Sequence, residues 1–490
     1  MKKLLLLLLV PFITYGQVQI GQDINGEAPN DQSGIRVELS ADGNILAVGA
    51  INNSDSNEAA GHVRIFENQN NNWVQIGQDI DGEDFLDFSG RDVSLSADGT
   101  IVAIGAVGND GNENGVDVGH VRVFENQNGI WTQIGQDING EENQNNFGIS
   151  VSLSADGTII LIGGTPLNSA NPDPGVVRVF ENQNGVWTQI GQDINGENQA
   201  DIFGFTSDIS ADGSIIAIGA PQNDVNGDSS GHVRIFENQN NTWTQIGQNI
   251  NGENVNDRFG SAVRLSNNGN IVAIGIPGND DNGEGTGQVR VFENQNGNWV
   301  QIGENINGLT EGDQFGVRVS LSSEANILGV SAIRSDANGF DSGQVRVFEN
   351  QNGNWVQIGE NINGEAEEDT FGRSISVSAN GTVIAIGADF NDGNDFNSGH
   401  VRVFDLSDLL STEEFTSSSF SLYPNPATTQ VTIEIPQEST LEKITIYNSL
   451  GQQILTSKEK IVNTSALSQG VYIVEVNTNQ GSYSKKLIVE

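Results

Sequence analysis

Oxygen-bearing side chains recur in this sequence at offsets that could hold a cation. In "QDINGENQAD", Asp193, Asn195, Glu197 and Asp201 occupy positions 1, 3, 5 and 9, a spacing that lets alternate side chains of a loop turn toward one ion. The set returns as Asp23, Asn25, Glu27 and Asp31, and again as Asp79, Asp81, Glu83 and Asp87. Hard oxygen donors in flexible geometry favour Ca²⁺ over Mg²⁺, so these loops are the expected Ca²⁺ sites. Gly stands fourth in the pattern and not sixth, which excludes an EF-hand. Later copies thin the charge: Asn249, Asn305 and Asn361 open the pattern, and Leu309 takes one fifth place. Ordinary Asx turns also account for Asp-x-Asn-Gly without metal, so the residues leave both readings open.

Other chemistry is narrowed by what is missing or repeated. The chain has no Cys, which removes disulfides, thiolate metal sites and a cysteine nucleophile. His62, His120, His232 and His400 all follow Gly in "GHVR"-like segments, one per copy. They are therefore expected to belong to the framework and not to gather as a metal site. The "VR(V/I)F" arginines, Arg64, Arg122, Arg178, Arg234, Arg290, Arg346 and Arg402, form a sevenfold set, expected to pair with acidic loop residues. Six Trp recur at the start of a strand and are expected to anchor it through buried area. The net charge is −43 and no Lys lies between residues 4 and 442, a surface that repels phosphate backbones and excludes nucleic acid as a partner. Catalysis needs a local, nonrepeating set of acid, base or nucleophile. None stands out, so a non-enzymatic binder of glycan or protein is the expectation. A polysaccharide lyase or glycosidase using carboxylates from several copies and a structural surface protein are the alternatives.

The elements that must position these residues are repeats. An "LSADG"-like pentapeptide starts at Leu39, Leu95, Leu153, Ile209, Leu265, Leu321 and Val377, which makes seven copies. Each copy holds four short apolar or alternating segments bounded by Gly, Asn and Asp, here named a, b, c and d. In the second copy they read "DVSLS", "TIVAIGA", "HVRVFE" and "WTQIGQ", with Asp-Gly and Asn-Gly between them as tight hairpins. Seven four-stranded units predict an all-β, seven-bladed β-propeller. The chain begins its repeats with a d segment, "QVQIGQDI", and ends them with a c segment, "HVRVF". The N-terminal strand is thus expected to complete the last blade and remove two open edges. In such blades the b to c and d to a loops share one face, which is acidic and varied, and that face is the expected binding surface.

The copies resemble the FG-GAP repeats of integrin-α-type propellers. "FG" stands at Phe147-Gly148, Phe203-Gly204, Phe259-Gly260, Phe315-Gly316 and Phe371-Gly372, and "GAP" at Gly219 to Pro221. The resemblance covers residues 17–404 and implies an adhesion propeller. It departs between strands a and b, where that family carries a calcium loop and this chain has the short "SADG", so the family's ligands have no counterpart there.

After a polar linker at 405–419, "SLYPNPATTQVTIEIP", "ITIYNSLGQQIL", "GVYIVEV" and "KKLIVE" resemble the type A C-terminal sorting domain of the type IX secretion system. That resemblance implies a small immunoglobulin-like β-sandwich over 420–490, the type IX secretion machinery as partner, and passage across the outer membrane of a Bacteroidota-type cell. Residues 1–16, "MKKLLLLLLVPFITYG", have the pattern of a secretory signal peptide, too short to span a bilayer. No transmembrane segment is expected, and the destination is the medium or the cell surface.

Overall fold

Short runs of β-branched and apolar residues, each closed by a turn residue, become strands wherever a neighbour can cover them. In the first copy a spans Ser33–Leu39, b Ile45–Ala50, c His62–Asn68 and d Trp73–Gln75, with d resuming at Ile80–Asp81. All pair antiparallel in the order a-b-c-d. Gly43, at φ 74°, makes the a to b turn, a conformation that costs any residue with a Cβ. Six further sheets repeat the order, with d unbroken over Asn354–Asn363 in the sixth. The computed structural model describes residues 16–110, 116–166, 173–410, 420–435, 440–448, 452–478 and 481–489. Residues 1–15 of the expected signal peptide, 411–419 of the linker, and Leu450 and Gly451 of the tail lie outside them.

The ring closes as a seven-bladed propeller. Val18–Gln19 pairs with Asp405 and Phe404, and Ile24–Asn25 with Val401 and His400, so the N-terminal strand is the outer strand of the seventh sheet. A belt of backbone bonds joins the a to b hairpins around the axis. Ala41 N–H donates to the Ala97 carbonyl at 2.8 Å, the bond passes on through Ala155, Ala211, Asn267, Ser323 and Ala379, and Ala379 donates back to Ala41 at 2.9 Å. Such a bond is worth about 1 kcal/mol net, and here the last link exists only if all seven sheets are in place.

The core lies between sheets. Leu161, Val177 and Val179 of the third sheet pack with Ile216, Ile218, Phe236 and Trp243 of the fourth, and the five Phe of the "FG" pairs are among the most buried side chains. Burial of one such ring contributes roughly 1.5–3 kcal/mol. A strand b glycine permits the approach: a Cβ on Gly105 would overlap the carbonyl of Gly148, the Gly of the pair in the next sheet. Five of the six Trp anchor as expected, whereas Trp355 is half-buried and its Nε1 has no hydrogen-bond partner among the described residues. Trp73 Nε1 donates to the Ile20 carbonyl of the preceding outer strand at 3.0 Å, and Trp131, Trp187, Trp243 and Trp299 repeat the contact. Gln17 stands in the seventh sheet's Trp slot, and its amide reaches the Glu360 carbonyl at 2.6 Å.

Strand c of the seventh sheet ends at Asp405, and Leu406, Leu409 and Leu410 pack against that sheet's core, so the first compact unit runs to Leu410 and the second from Ser411. The second unit is a sandwich of two sheets. One holds 421–423, 430–434 and 461–463, the other 453–457, 441–448, 470–478 and 481–489. Phe420, Val431, Ile444, Val474 and Leu487 lie between them. Asn425 of "YPNP" donates to the Lys486 carbonyl and accepts from Ile488 N–H, both at 2.8 Å. Two of the tail's sequence signatures are thus one structural contact.

Removal of residues 17–25 leaves strand c of the seventh sheet without its outer partner. The truncated chain is expected to melt at least about 5 °C lower and to associate through the exposed edge. An unchanged Tm with monomeric elution contradicts closure by this strand.

Candidate functional site

The b to c and d to a loops share a face because their backbones bond to each other: Leu86 N–H donates to the Glu58 carbonyl at 3.0 Å, and Phe88 N–H to Ala59 at 3.2 Å. On this face the four oxygens of each expected calcium loop part company. Asp23, Asp79 and Asp193, in first place, accept the amides of Gln19, Gln75 and Gln189 at 2.5–2.7 Å. A neutral donor serves Asn equally well, and Asn249, Asn305 and Asn361 make the same bond at 2.7–2.8 Å. In third place it is the backbone carbonyls of Asn25, Asp81 and Asn195, not their side chains, that accept from Arg64, Arg122 and Arg234 of the following sheet at 2.7, 2.6 and 3.1 Å. In fifth place Glu27, Glu83 and Glu197 pair with those same arginines at 3.2, 3.3 and 3.9 Å. In ninth place Asp31, Asp87 and Asp201 are buried and accept loop N–H groups from Ala28, Asp84 and Asn198 at 2.9–3.0 Å. Asp193 has a further role: the Arg178 guanidinium holds its carboxyl below the usual range, with bonds of 2.9 and 3.0 Å.

The fold recombines these side chains across loops. Among the described residues, three groups of His, Asp and Glu place one ligand atom each within 4.8 Å of one another: Glu27, Asp55, His62 and Asp79; Asp23, Glu365 and His400; Glu83, His120 and Asp137. Each joins a strand c histidine to the first place of its own sheet's loop and the fifth place of the loop before. As expected, the histidines do not gather with one another among the described residues, but each of these three has carboxylates from the neighbouring sheet beside it.

Nonrepeating chemistry lies on the axis. Seven of the fourteen Arg fall outside the strand c slot, and five of these, Arg36, Arg91, Arg264, Arg318 and Arg373, sit on or beside strand a. A cavity of about 410 Å³ opens on the loop face, lined by Arg91, Arg258, Arg318 and Arg373 with Phe205, Asp280 and Glu284. Below it a narrow gap of about 40 Å³ is lined by Arg36, Asp92, Arg264 and again Arg318 and Phe205. Arg36 has Asp92 at 2.9 Å, and Arg373 has Asp389 at 3.4 Å. Arg318 donates to the Val317 carbonyl at 2.9 Å, while its Nε has no hydrogen-bond partner. Burial, followed by Arg36, Arg373 and Arg91, pushes the Arg318 pKa down, and burial with Arg36 and Arg373 brings Arg91 to about 10. Asp280 and Glu284 share the cavity lining, but Arg91, Arg258 and Arg318 make no ion pair among the described residues, and guanidiniums so placed, partly shut off from water, form a site that an anion stabilises. Deeper in the channel, burial raises Glu38 to about 7 despite Arg264. The repeat masks this cluster because its slots change from copy to copy. The legible signal was the arginines that depart from the repeat.

The loop face also exposes large apolar side chains, including Phe85, Phe340, Phe390 and Phe396, of which Phe340 and Phe396 share one slot in adjacent copies. Phe390 and Phe396 line a second cavity of about 360 Å³ with Asp341, Glu367, Glu368 and Asp392.

Residues 421–490 match the family described as the secretion system C-terminal sorting domain. This tail marks the chain for type IX export, to the medium or the cell surface. No helix among the described residues is long and apolar enough to cross a membrane. No curated protein matches the chain. Similar solved structures include a protein assigned as a 6-phosphogluconolactonase from Bacteroides uniformis, at 13% identity and TM-score 0.48, covering 70% of this chain and 88% of that one. The periplasmic gluconolactonase of Pseudomonas aeruginosa is similar at 14% identity and TM-score 0.48, over 86% and 98% of the two chains. Likeness at this level says nothing of what the chain binds.

Two outcomes test the electrostatics of the loop face. Leu309 stands where other copies place the Glu that meets strand c Arg, and Arg346, lacking that partner, lies over the rings of Phe315 and Phe348 at 4.9 and 4.8 Å, its pKa lowered by burial to about 10. Leu309→Glu is expected to stabilise the fold by roughly 0.5–1 kcal/mol, read as a higher Tm at low salt that fades as salt is added; no change in Tm counts against the pairing. Burial, the largest cause, holds His62, His120 and His400 near pKa 4, below the ordinary histidine value of 6.5. Their neutral forms favour the fold above pH 6.5, and that stability is lost as pH falls toward 4, up to roughly 3 kcal/mol per residue by linkage. Glu38 and Asp313, raised to about 7 and 6, act with the opposite sign over the same range. The readout is therefore the difference between variants: with chelator present, His120→Gln is expected to lose less Tm between pH 6.5 and 4 than the parent chain.

Proposed function

We propose that the exported propeller is a non-enzymatic binding and adhesion module that captures an anionic glycan, bearing carboxylate or sulfate groups, at the axial mouth of its loop face. The observation that carries this reading is the convergence of Arg91, Arg258, Arg318 and Arg373 on one cavity of about 410 Å³, in a chain of net charge −43. A volume of that order suits a small ligand or the terminal sugar of a longer one. Guanidiniums recognise planar oxyanions through paired N–H donors, and Phe205 beside them offers a face on which a sugar ring can stack. Exposed Phe85, Phe340, Phe390 and Phe396 on the surrounding loops suit a macromolecular partner over a free metabolite. The resemblance of the "FG" repeats to FG-GAP propellers supports the adhesive part of the reading, and the sorting tail supports delivery to where such ligands are met.

A second reading, a glycan-active enzyme, is favoured by one observation: carboxylates from three sheets, Glu38, Asp92 and Asp208, lie along strand a, and Glu38 is raised to about 7, a value suited to a general acid or base.

A panel of sulfated, uronate-bearing and neutral glycans, screened for binding and for product release, separates the two. The acidic glycans are expected to bind, more weakly as salt rises. Arg318→Ala and Arg373→Ala are each expected to weaken binding at least about tenfold, a loss of about 1.4 kcal/mol, and Arg318→Ala to hold or raise the Tm because it relieves repulsion. Equal binding of neutral glycans, or undiminished binding by both variants, overturns the reading, and product release that Glu38→Gln abolishes replaces it with the enzymatic one.

A further inference from the structure

His62 is fully buried, and neither ring nitrogen has a hydrogen-bond partner among the described residues. A buried polar atom left unpaired is costly, and the same slot elsewhere in the ring shows the ordinary solution. Gln288 and Gln344 occupy it in the fifth and sixth sheets, and their amides reach Asn307 and Asn363 at 2.8 and 2.9 Å. The histidine forgoes that bond, and one of its nitrogens lies within 4.8 Å of carboxylate oxygens from Glu27, Asp55 and Asp79.

We propose that Glu27, Asp55, His62 and Asp79 form a binding site for a divalent transition-metal ion of the zinc class, at the seam where the N-terminal strand leads into the first sheet. One imidazole with three carboxylates is a mixed nitrogen and oxygen donor set, which suits Zn²⁺ and its neighbours and is unlike the all-oxygen shell of Ca²⁺. Metal to ligand distances of about 2.0–2.2 Å place ligand atoms about 3–4.5 Å apart, so small side-chain rotations close the group onto an ion. The charges balance: Arg64, 3.2 Å from Glu27, answers one of the three carboxylates and leaves two negative charges for a divalent cation. Supporting contacts are present as metal sites require. Gln75 bonds Asp79 at 2.5 Å, Arg64 holds Glu27, and Asn53 lies 3.4 Å from Asp55. Glu27 and Asp55 are exposed, which gives the ion a path from the loop face. The groups around His120 and His400 repeat the arrangement with three ligands, and among the described residues the first sheet's group, completed by Asp55, is the one with four.

The test uses the full exported chain, stripped with chelator and titrated with Zn²⁺ by calorimetry and thermal melting. Saturable zinc uptake with a rise in Tm is expected, and His62→Gln is expected to lower the stoichiometry by one zinc per chain. That variant carries the residue the fold already accepts in this slot, so its metal-free Tm is expected to stay within a few degrees of the parent. Asp55→Asn, on the exposed loop, is expected to weaken the same site at least tenfold. The proposal is overturned if the zinc stoichiometry of His62→Gln equals that of the parent, if no saturable uptake occurs below millimolar zinc, or if Ca²⁺ at equal concentration displaces the zinc.

Discussion

The protein depends on a geometric condition: seven nearly identical sheets must meet end to end. The backbone belt that runs from Ala41 through Ala379 and back to Ala41 has no free end, so an error in any sheet's tilt would have to be absorbed by all the others. This explains the economy of the sequence. A position that touches the next sheet must present the same shape seven times, and the glycines of adjacent sheets, the Trp anchors and the outer-strand glutamines recur because the contact they make recurs. The seventh sheet is the exception that closes the ring. Its outer strand comes from the other end of the chain, which ties the first described residues to the last repeat and removes the open edges that a row of sheets would present.

The same condition organises the charge. A glutamate encoded in one copy meets an arginine encoded in the next, as Glu27 with Arg64, Glu83 with Arg122 and Glu253 with Arg290. The sheets are thus joined electrostatically at their loop ends as well as by hydrogen bonds at the hairpin ends. These pairs are half exposed and individually modest, but they spread the acidic residues of the loop face among framework duties. What framework pairing does not absorb is what offers chemistry. Inside the ring that is Arg91 and Arg318, which make no ion pair among the described residues, and at the first seam it is a buried histidine facing three carboxylates. Both leave a local imbalance that a ligand of opposite charge corrects, as sites under functional pressure commonly do at some cost to stability.

Much of the fold is legible in the order of the residues. Period, strand count, hairpin turns and the displaced d segment lead directly to a closed seven-bladed ring, because each is a local pattern repeated at a fixed spacing. The tail's signatures are equally legible, and Asn425 and Lys486 prove to be neighbours in space. The site is legible only in part. The first, third, fifth and ninth positions of each loop read as one set since they are near in sequence. In the fold they serve different partners, because strand pairing turns position 1 back toward its own sheet and position 5 outward to the next.

The amino-acid order alone thus determined the elements, their number and the route of export, since turn chemistry, alternation and the tail's motifs act over a few residues. Tertiary structure decided which charges meet. Arg91, Arg318 and Arg373 lie in three copies, the first of them hundreds of residues from the other two, and closing the circle sets them around one cavity. Glu27 and His62 belong to different loops, and the seam between sheets makes them neighbours. Proximity of that kind depends on the curvature of the whole ring, to which every sheet contributes and which no single stretch of sequence contains.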